Sequence, residues 1–533
     1  MKLNLLLLIL LFPAVYNAQE VEFGKENETK SLRNMPFFLG KVDNVFYTVR
    51  VTGYSGSIYM QVMRSDSKAA ATAMILGASK FSDDSPFMMQ RLFFGQNSHI
   101  FLEKYDENLN QISSKEISLR LNPKDDELKV VQFEMAGPNV YCFAYDEEEK
   151  GTGNSLKAYP VSEDGKLSAE AILSANYDSE NKNVRGKKSH TFRIFPTPDQ
   201  QHLLITHNFL REPKYPGDRR YLHFAFADQN LKNVWEQDFD IDADYPGMEL
   251  VTASASNNGD AVFLVKYKNP DSKGPDNLYD VYTWIQATKT FSKFDLGMDG
   301  FYTNDILFEF KDQMLIISGF YSGRSKTSAE GYFYSQIDLN SGKEIKSTKE
   351  KFTAEFMKLA LGTEKATDEE HLKDLHMRNI FPQPDGGMIL IAEQYYILSL
   401  NNDFNFNNLS IFMLKLDAQG NLVSQARVDK KQRTSGDGGI FNSFCVVESP
   451  DALHFIYNAN RDNPKDKMSN TNKASVYMTS VPLDGGKQTT NLLFNGKEQE
   501  TIAVPKVFVQ ESANSTVFFN LKRYNFKFAR VKY

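Results

Sequence analysis

The chain has 533 residues but only two cysteines and two tryptophans. Two thiols cannot build a disulfide framework or a cysteine-rich zinc site. Cys142 and Cys445 each lie in an apolar run, Val140-Tyr141-Cys142-Phe143 and Phe444-Cys445-Val446, where a thiol packs as a small hydrophobe. A single clasp between distant segments is the other arrangement the pair allows. The histidines offer no zinc pattern: there is no HExxH, His202 and His207 fall on opposite faces of a strand-like run, and His371 and His376 are not on one helical face. GxSxG is missing, and Gly436, Gly438 and Gly439 lack the lysine and following helix of a phosphate loop. A net charge of −7 gives no basic face for nucleic acid.

Long apolar runs are also scarce. The one near the start, Leu3 to Phe12, follows Lys2 and ends at Pro13 and Ala14-Val15-Tyr16-Asn17-Ala18. It is too short to span a bilayer and reads as a secretory signal peptide over residues 1–18, cut after Ala18, although Tyr16 is large for its place before the cut. No cysteine stands there for lipid attachment. No later run reaches transmembrane length, so the mature chain is expected in an extracytoplasmic compartment, without a membrane anchor.

What the chain does have is a repeated strand pattern. In Asn379 to Val428, Asn379-Ile380-Phe381 leads through Pro384-Asp385-Gly386-Gly387 into Met388-Ile389-Leu390-Ile391-Ala392. Ser410 to Leu416, the turn Asp417 to Asn421, and Leu422-Val423-Ser424 follow. This is a four-stranded antiparallel unit with Gly and Asn at its turns, and its two apolar faces call for stacked copies. Short polar turns after apolar strands recur at Tyr105 to Asn108, Ser162 to Gly165, Ala227 to Asn230, Gln286 to Thr290, Asp338 to Gly342, Asp417 to Gly420, and Leu483 to Gly486. Their spacing is roughly 50 to 80 residues, beyond the about 40 to 50 of compact propeller repeats, so several units carry insertions. The expected fold is all-β: a single β-propeller over 19–533 with seven blades. The strands from Val504 to the last residue add an eighth blade if they form their own sheet, and leave seven if they join the early strands.

One segment, 348–379, breaks the rhythm. It reads as two short amphipathic helices with apolar residues Phe352, Phe356, Leu372 and Leu375. Such an insertion either lids its own ring or docks a partner, and these four residues are the candidate contacts. The basic loop bearing Arg211, Lys214, Tyr215, Arg219 and Arg220 is a candidate recognition rim, together with Lys268 to Asn277 and Arg461 to Lys473. For a metal there is one weak candidate: Asp238, Asp240, Asp242 and Asp244 alternate, and Glu249 stands twelfth counting from Asp238, as in an oxygen-ligand Ca²⁺ loop. Ala243 replaces the turn glycine and Pro246 stiffens the ninth position. No other cofactor is indicated. Asp260, Asp305, Asp385 and Asp451 lie near strand ends, where turn and boundary roles explain them, and no catalytic pair emerges.

The leader ending Asn17-Ala18-Gln19 and the turns Pro384-Asp385-Gly386 and Pro198-Asp199-Gln200 give a pattern that resembles the secreted WD-like or TolB-like β-propeller proteins of the Bacteroidota. The resemblance spans almost the whole mature chain through generic motifs. Its size, export signal and lack of an anchor also make it similar to the periplasmic plug associated with the type 9 secretion translocon. No Ig-like sorting domain marks it as secreted cargo. The resemblance implies a non-catalytic periplasmic propeller that binds a protein partner, such as an outer-membrane secretion channel, and it transfers no catalytic residues. The alternative is an exported glycan- or peptide-acting enzyme, or a ligand-binding propeller.

Overall fold

A computed structural model describes residues 20–28, 34–52, 99–122, 124–147, 154–171, 173–176, 192–209, 221–240, 249–269, 274–298, 300–400, 403–435, 437, 439–522 and 525–533. The signal segment and the loop 211–220 lie outside them.

Eight sheets, each built on a four-strand antiparallel path, account for nearly all the strands. Blades 1 to 7 occupy 34–116, 129–176, 192–240, 249–294, 302–351, 375–428 and 445–494. Blade 8 takes Ile502–Ser512, Ser515–Lys522 and Asn525–Lys532 from the end of the chain, and its outer strand, Glu20–Phe23, from the beginning. First strands touch in six of the neighbouring pairs of blades, including Ile502–Ser512 against Asn34–Val42, so the first strand of each blade is innermost and the ring closes between blades 8 and 1. The late strands therefore share a sheet with the earliest described strand, and the ring still has eight blades. The expected choice between those two outcomes was a false one, because only one short strand crosses over.

The cores lie between blades rather than inside one. In Met388-Ile389-Leu390-Ile391, Met388 and Leu390 pack with Ile316, Phe320, Tyr332 and Tyr334 of blade 5. Ile389 and Ile391 pack with Leu453, Phe455 and Tyr457 of blade 7. A strand buried on both faces needs an unbroken apolar run, which is what the sequence has there. Trp235 and Trp284 meet in the same way between blades 3 and 4, with ring centroids 5.8 Å apart. Cys142 and Cys445 are free thiols buried in different inter-blade cores, one near blades 1 and 2 and one near blades 7 and 8, which rules out the clasp.

The seven polar markers all connect the third strand of a blade to its fourth. At three of them one aspartate closes the turn: Asp106, Asp228 and Asp417 accept from the backbone N–H of Asn110, Lys232 and Asn421 at 2.8, 2.9 and 2.9 Å. The left-handed position one residue earlier is Gly420 in blade 6 but Leu109 and Leu231 in blades 1 and 3, at φ 62° and 59°. A leucine is strained there. Both leucines are buried, and anchoring in the core holds them in place.

Candidate functional site

Antiparallel order puts the first-to-second and third-to-fourth turns of every blade on one face of the ring. The second-to-third and blade-to-blade connections fall on the other. The first face carries short turns, apart from the longer connection 161–172 in blade 2. The second carries the long excursions: 53–98, 177–191, 210–220, 241–248, 352–374, 429–444 and 461–473 all leave and re-enter there. This connection-bearing face is the candidate site, and blades 5 to 7 show how it is built.

Between blades 5 and 6 stands a helix, Ala354–Leu361. Thr353 Oγ1 accepts from Phe356 N at 3.1 Å to start it, and Gly362 at φ 66° ends it. Arg427 Nη1 donates to the Leu359 and Ala360 carbonyls at 3.0 and 3.1 Å, satisfying the last turn and complementing its dipole. Phe356 and Met357 face inward and Leu361 faces solvent.

Beside it an arm rises from blade 6. Met388–Leu400 and Asp403–Leu416 pair as far as Leu400 and Asp403, whereas the inner strand Leu375–Pro382 stops at Gln394. Gln432–Ser435 adds a third strand to the arm. A buried ionic cluster sits at its root. Arg378 donates to Glu393 Oε2 through Nε and Nη2 at 3.0 and 2.8 Å, Ser443 Oγ donates to the same oxygen at 2.9 Å, and Lys430 Nζ reaches Oε1 at 2.5 Å. Burial alone would raise the Glu393 carboxyl, but Lys430 and Arg378 outweigh it and hold it at about 2. The cluster ties the inner strand, the arm and the 429–444 crossing together at one point.

Towards the interior, Asp305 and His376 join blades 5 and 6, with Oδ2 and Nδ1 2.9 Å apart. Asp305 is buried, holds a left-handed φ of 50° at a bulge, and its Oδ1 has no hydrogen-bond partner among the described residues. The partly exposed His376 ring lies 5.9 Å from the Tyr395 ring, and the Arg378 guanidinium lies 5.3 Å from the centroid of the same tyrosine ring. An imidazole oriented by a buried carboxylate is half of an acid–base device. Sequence reading placed Asp305 at a strand boundary and His376 on a helix; the pairing needs two blades and has no local signal.

The four apolar candidates are corrected by their burial. Phe352, Phe356, Leu372 and Leu375 are at most 4% exposed, in the core between blades 5 and 6, so their side chains cover the ring rather than face a partner. The second expected helix is also absent: Leu372–Lys373 and Leu375–Pro382 are strands, and the stripe at Leu375 and Met377 is the two-residue period of the latter. Arg211, Lys214, Tyr215, Arg219 and Arg220 lie outside the described residues, as do Asp242 and Asp244. Asp238 and Asp240 belong to the outer strand Asn233–Asp240, so their alternation is that of a strand and not of a Ca²⁺ loop. Trp235 and Phe239 turn into the core, and Asp238 faces His223 with Oδ1 2.6 Å from Nδ1. Glu249 opens the first strand of blade 4. Among the described residues no cluster of three or more His, Cys, Asp or Glu is placed to hold a metal.

A further group escaped sequence reading. Glu134, on the inner strand of blade 2, accepts from Gln132 Nε2 at 2.7 Å, and burial raises its carboxyl from 4.5 to about 7. A raised carboxyl binds its proton more tightly folded than unfolded, so stability falls as pH rises from 4.5 through 7. Glu134→Gln is expected to stabilise the chain by on the order of 3 kcal/mol at pH 8 and by little at pH 4.5. Urea unfolding at the two pH values checks this, and an equal effect at both would refute it.

No family model and no curated protein matches the chain. Among solved structures it is similar to the Dos1 propeller, at 10% identity over 96% of this chain and 94% of that one, with a TM-score of 0.42. It is also similar to the polysaccharide lyase Uly1 (9%, 77% and 93%, 0.35) and to the WD40 domain of SCAP from fission yeast (10%, 82% and 92%, 0.36). Likenesses this low carry no argument about activity; strand order and ring closure alone establish an all-β, eight-bladed β-propeller with one helical insertion.

Proposed function

We propose that this chain is an exported binding propeller that takes its ligand or protein partner on the connection-bearing face above blades 5 to 7. The observation that supports this reading is the division of labour between the faces: the long excursions gather on one, and the other carries short turns apart from the connection 161–172. Loops on a rigid scaffold are where binding groups are free to vary without cost to the core. Exposed large apolar residues point the same way. Among the described residues, Ile112, Val234, Ile345, Val423 and Leu492 are scattered singly over outer strands, whereas Leu361 and Leu398 both lie on that face, on the helix and on the arm. No described helix is long and apolar enough to cross a membrane. A periplasmic accessory or plug subunit of an outer-membrane secretion channel is the finer form of this reading, and it rests on the sequence resemblance.

A photo-crosslinking side chain placed at Leu361 or Leu398 is expected to give adducts in intact cells, and one at Asn340 or Gln419 on the turn-bearing face is not. Adducts from the turn-bearing face alone would overturn the assignment. A second reading, an exported glycan- or peptide-acting enzyme, draws on the Asp305 and His376 pair. It expects purified protein to turn over such a polymer and His376→Asn to abolish the turnover with the fold intact; a wild-type chain inert on both classes removes it.

A further inference from the structure

A cavity of about 490 Å³ opens on the turn-bearing face between blades 1 and 2, away from the surface considered above. Its apolar side is made by Leu102, Val140, Val161 and Tyr141, the last held by its hydroxyl, which donates to the Gln229 carbonyl at 2.8 Å. Asn139 Nδ2 donates to that carbonyl too, at 3.1 Å, so the turn of blade 3 fixes the far wall before any ligand arrives. The one cation among the lining residues is Lys104, whose side chain is only 12% exposed and whose Nζ lies 5.1 Å from the Tyr47 ring centroid. An ammonium this far from water needs an anion beside it. The anion present is Glu163, 2.7 Å away, but its own side chain is 89% exposed and stands on the third-to-fourth turn of blade 2. An ion pair with one partner so wet contributes little, and Glu163 loses little by returning to water.

We propose that this cleft binds a small amphipathic carboxylate, its ring or alkyl part against Leu102 and Val140 and its carboxylate on Lys104 in place of Glu163. Glu163 then acts as an internal competitor that occupies the cation until a ligand displaces it. Charge selects the ligand: an amine of the same shape meets Lys104 with like charge, and a neutral amide gains no ion pair.

Calorimetric titration of the mature chain with 3-phenylpropionate and with its neutral amide tests the site. The acid is expected to bind at least about ten-fold more tightly than the amide, a difference of about 1.4 kcal/mol. Glu163→Gln removes the competitor and is expected to tighten the acid several-fold and leave the amide unchanged. Lys104→Met is expected to abolish the preference. Equal affinity of acid and amide, an acid affinity unchanged or weakened by Glu163→Gln, or no heat from either probe at millimolar concentration overturns the proposal. Should Lys104→Met fail to fold, the exposed Glu163 variant decides alone, because a merely structural ion pair gives no gain in affinity when its acid is removed. None of these outcomes depends on what the opposite face binds.

Discussion

Glu393→Gln is expected to destabilise the ring by about 3–5 kcal/mol, because it leaves Arg378 and Lys430 buried without their carboxylate. The pair geometry does not itself make the cluster a source of stability; the cost comes from orphaning a charge. A double variant, Glu393→Gln with Lys430→Met, is therefore expected to recover much of the loss, since the cation with no water to retreat to is gone. Urea midpoints of the single and double variants measure this, and a single variant within about 1 kcal/mol of wild type would sink the account. The pH dependence has a definite sign. Glu393 is held at about 2, below its ordinary 4.5, so its contribution is complete above 4.5 and is lost as the pH falls towards 2.

Removing residues 19–28 is expected to be at least as damaging. Glu20–Phe23 pairs residue by residue with Lys532 to Ala529, and Gly24 N donates to Phe528 O at 3.0 Å. Val21 and Phe23 pack against the core of blades 7 and 8, with the Phe23 and Phe494 rings 5.1 Å apart. Glu22 lies 3.1 Å from Arg530 and also holds Lys532. Losing two part-buried apolar side chains costs on the order of 2–4 kcal/mol before the ladder is counted. The larger consequence is an unpaired edge on Asn525–Lys532, which invites association between copies. The truncated chain should unfold at a lower denaturant midpoint and form oligomers, and a synthetic peptide of residues 19–28 added in trans should reverse both. A monomeric truncation with an unchanged midpoint would show that the ring is closed by something else.

These two cases also mark where sequence reading succeeds and where it stops. The seven polar markers were legible because each is a local third-to-fourth turn closed by residues a few positions apart, such as Asp417 and Asn421. The eighth blade has no such turn, since its outer strand arrives from the other end of the chain, and the count of markers necessarily fell one short of the blades. The first helix was legible in its amphipathic apolar spacing, and the structure shows Thr353 and Gly362 setting its ends. The second was misread because Leu372 and Leu375 belong to two successive strands, with Asp374 at a left-handed φ between them, and their spacing of three imitates a helical stripe. Asp238 was weighed as part of a weak Ca²⁺ set, and its alternation with Phe239 records one wet and one buried face of an outer strand. Glu393, Arg378, Lys430 and Ser443 come from three separate segments, and each alone looks like an ordinary polar residue. Only the assembled ring brings them together, and the same is true of Asp305 with His376.

Borrowing an outer strand from the opposite terminus has a consequence for biogenesis. The segment 20–23 waits for a partner that the ribosome makes more than five hundred positions later, so no nascent chain can complete the circle before Asn525–Lys532 has emerged. Neighbouring blades can bury their shared faces as they emerge, yet the final lock joins segments of very high sequence separation, which slows folding. A chain of this design stays an open array of sheets until its last blade is made, and it becomes a closed ring only when 20–23 docks on Asn525–Lys532.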